Sequence, residues 1–78
     1  MITVKLFGLL RLDSGIRQAE IEADCISGLF RALLAQTDRI TQKDLNGCVI
    51  LINGKQASKR SKLKSGDEVT LLSPVAGG

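Results

Sequence analysis

One segment of the chain has the periodicity of a long amphipathic helix, and this feature restricts the possible folds more than any other. Five apolar residues recur there at helical spacing: Ile26, Leu29, Phe30, Leu33 and Leu34. Asp24 precedes them and is the predicted N-cap. The chain has 78 residues, enough for one domain with one core. Because a single helix covers one face of a sheet, we predict an α+β domain with one main helix on a mixed sheet.

The other apolar segments are short and have the character of strands. Apolar residues alternate with polar ones in residues 2–7, and residues 16–21 return after a turn as a second strand. Residues 48–52 form a continuous apolar run, which predicts a strand covered on both faces in the middle of the sheet. Asn53-Gly54 then predicts a two-residue hairpin turn. Shorter strands are predicted at residues 55–57 and 69–72.

The resulting order is strand, strand, helix, strand, short strand, strand, which is the order of the β-grasp (ubiquitin-like) fold. In this arrangement the first and last strands lie side by side and parallel in the middle of a sheet of four to five strands. We therefore predict a β-grasp domain over residues 1–73. Residues 74–78, which end in Gly77-Gly78, are predicted to be a flexible tail that leaves the domain at one end of the last strand.

Two further groups of residues require a structural interpretation. Leu9, Leu10 and Leu12 are unusually apolar for the loop between the first two strands, and we predict that they join the core, with an exposed patch as the alternative. Cys25 and Cys48 lack the spacing of metal ligands, and the chain has no histidine. The sequence thus predicts no metal site, two buried free thiols, and a core position for Cys48.

The most basic part of the chain is a stretch of ten residues that we call the basic stretch. It contains five cations: Lys55, Lys59, Arg60, Lys62 and Lys64. A solvated face is the simplest interpretation, and a docking patch for an acidic partner surface is the functional one. No aromatic side chain is near enough in sequence to stack on bases, so we predict no nucleic-acid site.

Membrane and export signals are absent from the sequence pattern. No apolar run approaches the roughly 20 residues of a membrane span. The first residues also lack the basic segment, apolar run and cleavage site of a signal peptide. The sequence therefore predicts a cytoplasmic protein that does not bind membranes.

The final Gly77-Gly78 makes the terminal carboxylate the strongest candidate for a reactive group. Glycine has no Cβ, so this end is thin enough to enter a narrow channel. A carboxylate is ionised at neutral pH and must be activated before it can be attacked. The chain has neither a phosphate-binding loop nor a histidine for that activation. We predict that it is not an enzyme by itself, and a frayed terminus is the alternative interpretation.

The whole chain resembles the ubiquitin-like sulfur carriers of the MoaD/ThiS type, most closely the small subunits of molybdopterin synthase. The resemblance is most specific in the Gly66-Asp67-Glu68-Val69 segment, which leads through a strand to the final segment Pro74-Val75-Ala76-Gly77-Gly78. The opening Ile2-Thr3-Val4-Lys5-Leu6-Phe7-Gly8 agrees as well.

This resemblance implies a mechanism in which the chain is a protein cosubstrate with no bound cofactor. An E1-like enzyme uses ATP and magnesium to adenylate Gly78, and a persulfide donor converts it to a thiocarboxylate. The tail then enters the large subunit of molybdopterin synthase, or another acceptor enzyme, and delivers sulfur. Gly77 provides the narrow approach, and Pro74, Val75 and Ala76 line the entrance of the channel.

Other pathways and functions stay open at this point. The Asn53-Gly54 turn is also similar to that of carriers in the thiamine pathway. Carriers for thiamine thiazole, cysteine and tungsten-pterin synthesis share this type of tail, as do protein modifiers that become linked to lysines. A β-grasp interaction module with an incidental tail is the remaining alternative.

Overall fold

The computed structural model describes residues 1–73, so the predicted tail, residues 74–78, lies outside the described residues. Five strands form one mixed sheet in the order β2-β1-β5-β3-β4. The strands are β1 (Ile2–Phe7), β2 (Gln18–Ile21), β3 (Val49–Ile52), β4 (Lys55–Ala57) and β5 (Glu68–Leu72). The helices are α1 (Leu9–Ser14), α2 (Ile26–Gln36) and α3 (Gln42–Asn46). This is the predicted β-grasp arrangement.

The first and last strands pair in parallel at the centre of the sheet, as predicted. Val4 lies opposite Val69, and Leu6 lies opposite Leu71. Because side chains alternate along a strand, these four residues share the face that packs against α2, and all are at most 1% exposed. The other face of the sheet carries Thr3, Lys5 and Phe7 from β1, and Glu68, Thr70 and Leu72 from β5.

The helix α2 confirms the predicted apolar stripe but begins differently. Ile26, Leu29, Phe30 and Leu33 are at most 1% exposed. The N-cap is Cys25, and no side chain caps the helix there, so the prediction of Asp24 as N-cap is wrong. The segment before β5 takes this role, since the backbone N–H of Ile26 donates to the carbonyl of Ser61 (3.0 Å). The first amide of α2 is thus satisfied by a carbonyl that is distant in sequence, and not by the side chain of a neighbouring residue.

Residues 9–14 are a helix and not the predicted loop. Gly8 and Gly15, both with positive φ, stand at its two ends. Only Leu10 of its three leucines is buried, while Leu9 is 50% and Leu12 is 75% exposed. The prediction that all three join the core is therefore wrong for Leu9 and Leu12, because a six-residue helix presents only one side to the sheet.

The apolar run at residues 48–52 does not occupy the middle of the sheet. Its residues 49–52 form β3, next to the edge strand β4, and only Ile50 is buried. Both cysteines are free but half-buried, which corrects their prediction as buried residues. The Cys48 thiol donates to the carbonyl of Leu45 (2.9 Å), and burial raises the pKa of Cys48 to about 11. This thiol is therefore protonated at neutral pH.

The predicted hairpin turn is present and is tied to the start of β5. Asn53 and Gly54 have φ values of 52° and 84°, the positive pair that this turn requires. The Asn53 side chain donates to Asp67 Oδ1 (3.0 Å) and accepts from the backbone N–H of Glu68 (3.0 Å). The other Asp67 oxygen accepts from the backbone N–H of Lys64 (2.8 Å). One carboxylate thus joins two turns.

The hydrogen bonds of Asp67 make the stability of the fold depend on pH. The Lys64 backbone N–H, followed by the Asn53 amide, lowers the pKa of Asp67 below its ordinary value. A lowered native pKa stabilises the fold above the unfolded pKa of about 3.9, and this contribution is lost as pH falls through the native value. We expect urea unfolding midpoints measured from pH 7 to pH 3 to fall more steeply for the natural chain than for Asp67→Ala. Parallel curves would contradict this assignment.

Candidate functional site

The described part of the chain ends in a buried junction at the Phe7 end of the central strand pair. Ser73 follows β5 directly and is 9% exposed. Its hydroxyl accepts a hydrogen bond from the backbone N–H of Leu10 (3.1 Å) and donates to the carbonyl of Phe7 (3.4 Å). The backbone N–H of Ser73 also donates to the Phe7 carbonyl, at 3.5 Å. Residues 74–78 therefore continue from a point fixed against β1 and α1.

Gly8 is required for this close approach. Its φ of 68° lies in the left-handed region, and a Cβ built there would lie 2.7 Å from Ser73 Oγ and 2.8 Å from the Ser73 carbonyl oxygen. Both distances are shorter than real Cβ contacts, and one of the two atoms belongs to the backbone. Glycine therefore serves two purposes at this position: it adopts the backbone conformation and it leaves space for Ser73.

An apolar surface lies beside this junction on the face of the sheet opposite to α2. Phe7 and Leu72 are neighbours in the β1–β5 register and are 39% and 41% exposed. Val49 lies opposite Leu72 in β3 and is half-buried. These three residues, which we call the exit surface, form a row across three strands. An exposed apolar row next to the start of the tail is suited to contact with a partner protein.

Three cationic side chains lie beside Phe7 at one end of the exit surface. Lys5, Arg11 and Arg17 line a small depression of about 160 Å³ together with Phe7. Lys5 also pairs with Glu68 (3.2 Å), an exposed ion pair of small energetic value. Sequence reasoning missed this group because its members are six positions apart along the chain. Only the pairing of Lys5 with Gln18 in the neighbouring strand brings Arg17 alongside.

The basic stretch begins in the edge strand β4 and ends in the turn before β5. A larger depression of about 750 Å³ at the start of α2 is lined by Lys59, Arg60 and Lys62. There the backbones of Cys25 and Lys62 form an isolated antiparallel β-bridge. Lys55 is in β4, and Lys64 lies in the turn before β5. All five side chains are exposed. Of these cations, Lys64 lies near the Ile2 end of β1, since the backbone N–H of Gly66 donates to the Met1 carbonyl (3.0 Å).

Within residues 1–73 there is no group of three or more His, Cys, Asp or Glu side chains that could hold a metal ion. Among the same residues, no helix has the length and apolar character needed to cross a membrane. The predicted site residues Pro74, Val75, Ala76, Gly77 and Gly78 lie outside the described residues. The described site is therefore the junction around Ser73 and the exit surface beside it.

The mixed five-stranded sheet with its packed helix defines a ubiquitin-like protein of the β-grasp class. The chain belongs to the ThiS family, which it matches over residues 4–78. Carriers of this family are substrates or subunits of enzymes and are not catalysts by themselves. This confirms the predicted kinship with MoaD/ThiS-type sulfur carriers and the prediction that the chain is not an enzyme.

Solved structures agree with this assignment. SAMP1 from Haloferax volcanii superposes with a TM-score of 0.80 at 24% identity, covering 99% of this chain and 98% of that one. A chain in the complex of subunits 1 and 2 of the molybdopterin-converting factor from Helicobacter pylori 26695 has a TM-score of 0.69 at 29% identity, with 99% and 97% covered. The BexX/CysO complex of Amycolatopsis orientalis contains a chain with a TM-score of 0.77 at 19% identity, fully covered on both sides. No curated protein sequence matches the chain.

The close contact between Gly8 and Ser73 can be measured as stability. Replacing Gly8 with Ala adds a Cβ that strains the backbone and collides with Ser73, and we expect a loss of about 3 kcal/mol in the free energy of unfolding. Gly15→Ala is the matched control, since Gly15 also has a positive φ (74°) but has no atom within 4 Å of its Cβ position. It should cost only about 1 kcal/mol. Equal losses in urea unfolding would show that Ser73 does not contribute to the effect.

Proposed function

We propose that this protein is a sulfur carrier that is loaded at the carboxylate of Gly78, and that it supplies sulfur for molybdopterin synthesis as the small subunit of molybdopterin synthase. One observation carries the proposal: the family match extends through residue 78, and the strand that leads to this tail ends in the junction beside the exit surface. A domain built in this way presents a partner with a docking surface and a nearby carboxylate.

The proposed chemistry takes place in two stages. A carboxylate oxygen of Gly78 attacks the α-phosphate of ATP, which is bound with magnesium in an E1-like enzyme, and pyrophosphate leaves. The terminal sulfur of a persulfide then attacks the acyl adenylate and releases AMP. A second thiol cleaves the resulting acyl disulfide, which leaves the thiocarboxylate on Gly78 and a disulfide on the donor. The carrier contributes only the carboxylate, because its sequence contains neither a phosphate-binding loop nor a histidine that could activate it.

The domain division follows from the same proposal. Residues 1–73 form the docking domain, and residues 74–78 act as the tail that enters the active site of each partner. Gly77 and Gly78 provide the narrow end, while Pro74, Val75 and Ala76 contact the entrance of the channel. Five extended residues reach about 16 to 18 Å, which is sufficient to cross into a pocket of a neighbouring protein.

The pathway assignment is supported by two features. The Pro74-Val75-Ala76 segment before the glycines resembles the corresponding segment of molybdopterin synthase small subunits. The 29% identity to a chain of the Helicobacter pylori molybdopterin-converting factor complex supports the same pathway, and that complex contains both subunits. We therefore propose that the acceptor is a large subunit of the same kind, and that the compartment is the cytoplasm.

Removal of Gly77 and Gly78 tests the chemistry. The deleted residues follow the described domain, so we expect the urea unfolding midpoint to stay unchanged. Incubation with the E1-like enzyme encoded in the same genome, ATP, magnesium and a persulfide donor should convert only the full-length chain. Intact mass spectrometry should then detect the exchange of one oxygen for sulfur.

The outcome in cells completes this test. A truncated chain that still restores molybdenum cofactor synthesis in a carrier-deficient strain would refute the carrier function. Gly-Gly remnants linked to lysines of cellular proteins would instead identify a protein modifier.

Phe7 of the exit surface provides a test of docking. Replacing Phe7 with Ala removes the largest side chain of the row, and we expect about tenfold weaker binding to the E1-like enzyme in a titration. Leu12→Ala is the control, because Leu12 is 75% exposed on α1 and lies outside the exit surface. We expect its affinity to change less than about twofold. Equal losses for both variants would argue against the exit surface as the docking site.

A further inference from the structure

The hydroxyl of Ser73 connects three elements that are distant in sequence. Ser73 follows β5, Phe7 ends β1 and Leu10 lies in the first turn of α1. Ser73 is one of three buried polar or charged residues within residues 1–73, together with Ser14 and Asp67. Burial of a hydroxyl is costly unless it is hydrogen-bonded, and both of its bonds here go to backbone groups of the junction. The Ser73 side chain is therefore part of the buried hydrogen bonding of the junction and not a surface group.

The helix α1 depends on Ser73 for its cap. The residue at the N-cap position of α1 is Gly8, which has no side chain, and α1 has no local side-chain cap. The hydroxyl of Ser73, 63 positions away, accepts from the Leu10 amide instead. The start of α1 and the end of β5 are thus held by the same oxygen. If this oxygen is removed, the remaining bond between Ser73 and β1 is the long backbone contact to the Phe7 carbonyl at 3.5 Å.

The space around Ser73 also restricts its direction. Gly8 lies so close that even a Cβ would overlap with both Ser73 Oγ and the Ser73 carbonyl oxygen. The carbonyl carbon of Ser73 is bonded to the nitrogen of Pro74, so a fixed Ser73 carbonyl fixes where the next residue begins. The contacts at Ser73 therefore determine the position at which the described domain ends.

We propose that Ser73 is a positioning residue for sulfur loading: its hydroxyl anchors the base of the tail so that the carboxylate reaches the active site of the activating enzyme when the exit surface is docked. The inference rests on the proposed function. Release of Ser73 removes the fixed point from which residues 74–78 continue, which lowers the effective concentration of the carboxylate at the enzyme. Phe7 and Leu72 stay in the sheet, so docking itself is unchanged.

The test compares Ser73→Ala with Ser65→Ala. Both variants remove one serine hydroxyl, but Ser65 is exposed and lies at the other end of the sheet, where it accepts from the N-terminal amine (3.1 Å). Two measurements are made on each full-length chain. Hydrogen exchange of the Leu10 amide reports on the bond, and steady-state sulfur loading by the E1-like enzyme of the same genome, with ATP and a persulfide donor, gives kcat and KM for the carrier.

For Ser73→Ala we expect the Leu10 amide to exchange at least about tenfold faster, because its buried acceptor is lost. We expect kcat to fall about fivefold while KM changes less than about twofold. Ser65→Ala should match the natural chain in all three quantities. A role limited to stability would accelerate exchange but leave kcat unchanged, and this result would overturn the proposal. A parallel rise in KM would also overturn it, because docking would then be affected.

Failure of the proposed function is distinguishable from failure of this inference. If the natural chain gains no sulfur with the activating enzyme, the carrier function is refuted. The anchoring role is then decided by the NMR order parameter of the residue 73 amide. An anchor requires that it falls from about 0.85 in the natural chain to below about 0.6 in Ser73→Ala, and an unchanged value overturns it.

Discussion

The parallel pairing of β1 with β5 is the contact on which the rest of the structure depends. It joins residues at the two ends of the described chain, such as Thr3 and Glu68. Pairing over so long a separation costs loop-closure entropy, and buried apolar side chains must offset this cost. Val4, Leu6, Val69 and Leu71 supply this burial, each contributing on the order of 1.5 to 3 kcal/mol. Without this pair, β3 would lose its neighbour and Ser73 would lose Phe7.

The same pairing separates two regions of the open face of the sheet. At the Ile2 end, Thr3 bonds Glu20 (3.1 Å) and Lys5 pairs with Glu68, so the polar side chains satisfy one another. At the other end, Phe7 and Leu72 meet without polar neighbours in their register row. A surface of this kind places apolar contact area beside the start of the tail. In the proposed function, this division assigns docking and chemistry to adjacent but different parts of the chain.

The distribution of charge along the sequence does not predict where charged groups meet on the surface. The basic stretch is prominent in the sequence, yet its cations are spread from β4 to the turn before β5, and a docking role for them stays a prediction. Lys5, Arg11 and Arg17 are inconspicuous in the sequence but meet beside Phe7. The reason is topological, because two antiparallel strands and a short helix bring together residues that no local run contains.

The sequence by itself determined those features whose causes are local. Helical spacing identified α2, the Asn53-Gly54 pair identified the hairpin, and the order of elements predicted the β-grasp sheet with its central parallel pair. Features that depend on distant partners required the tertiary structure. The cap of α2 is a carbonyl from Ser61, α1 forms where Ser73 supplies its cap, and β3 lies off-centre because β1 and β5 occupy the middle. Periodicity reports which face of an element is apolar, whereas only the packed chain decides which hydrogen-bonding groups and neighbours that element meets.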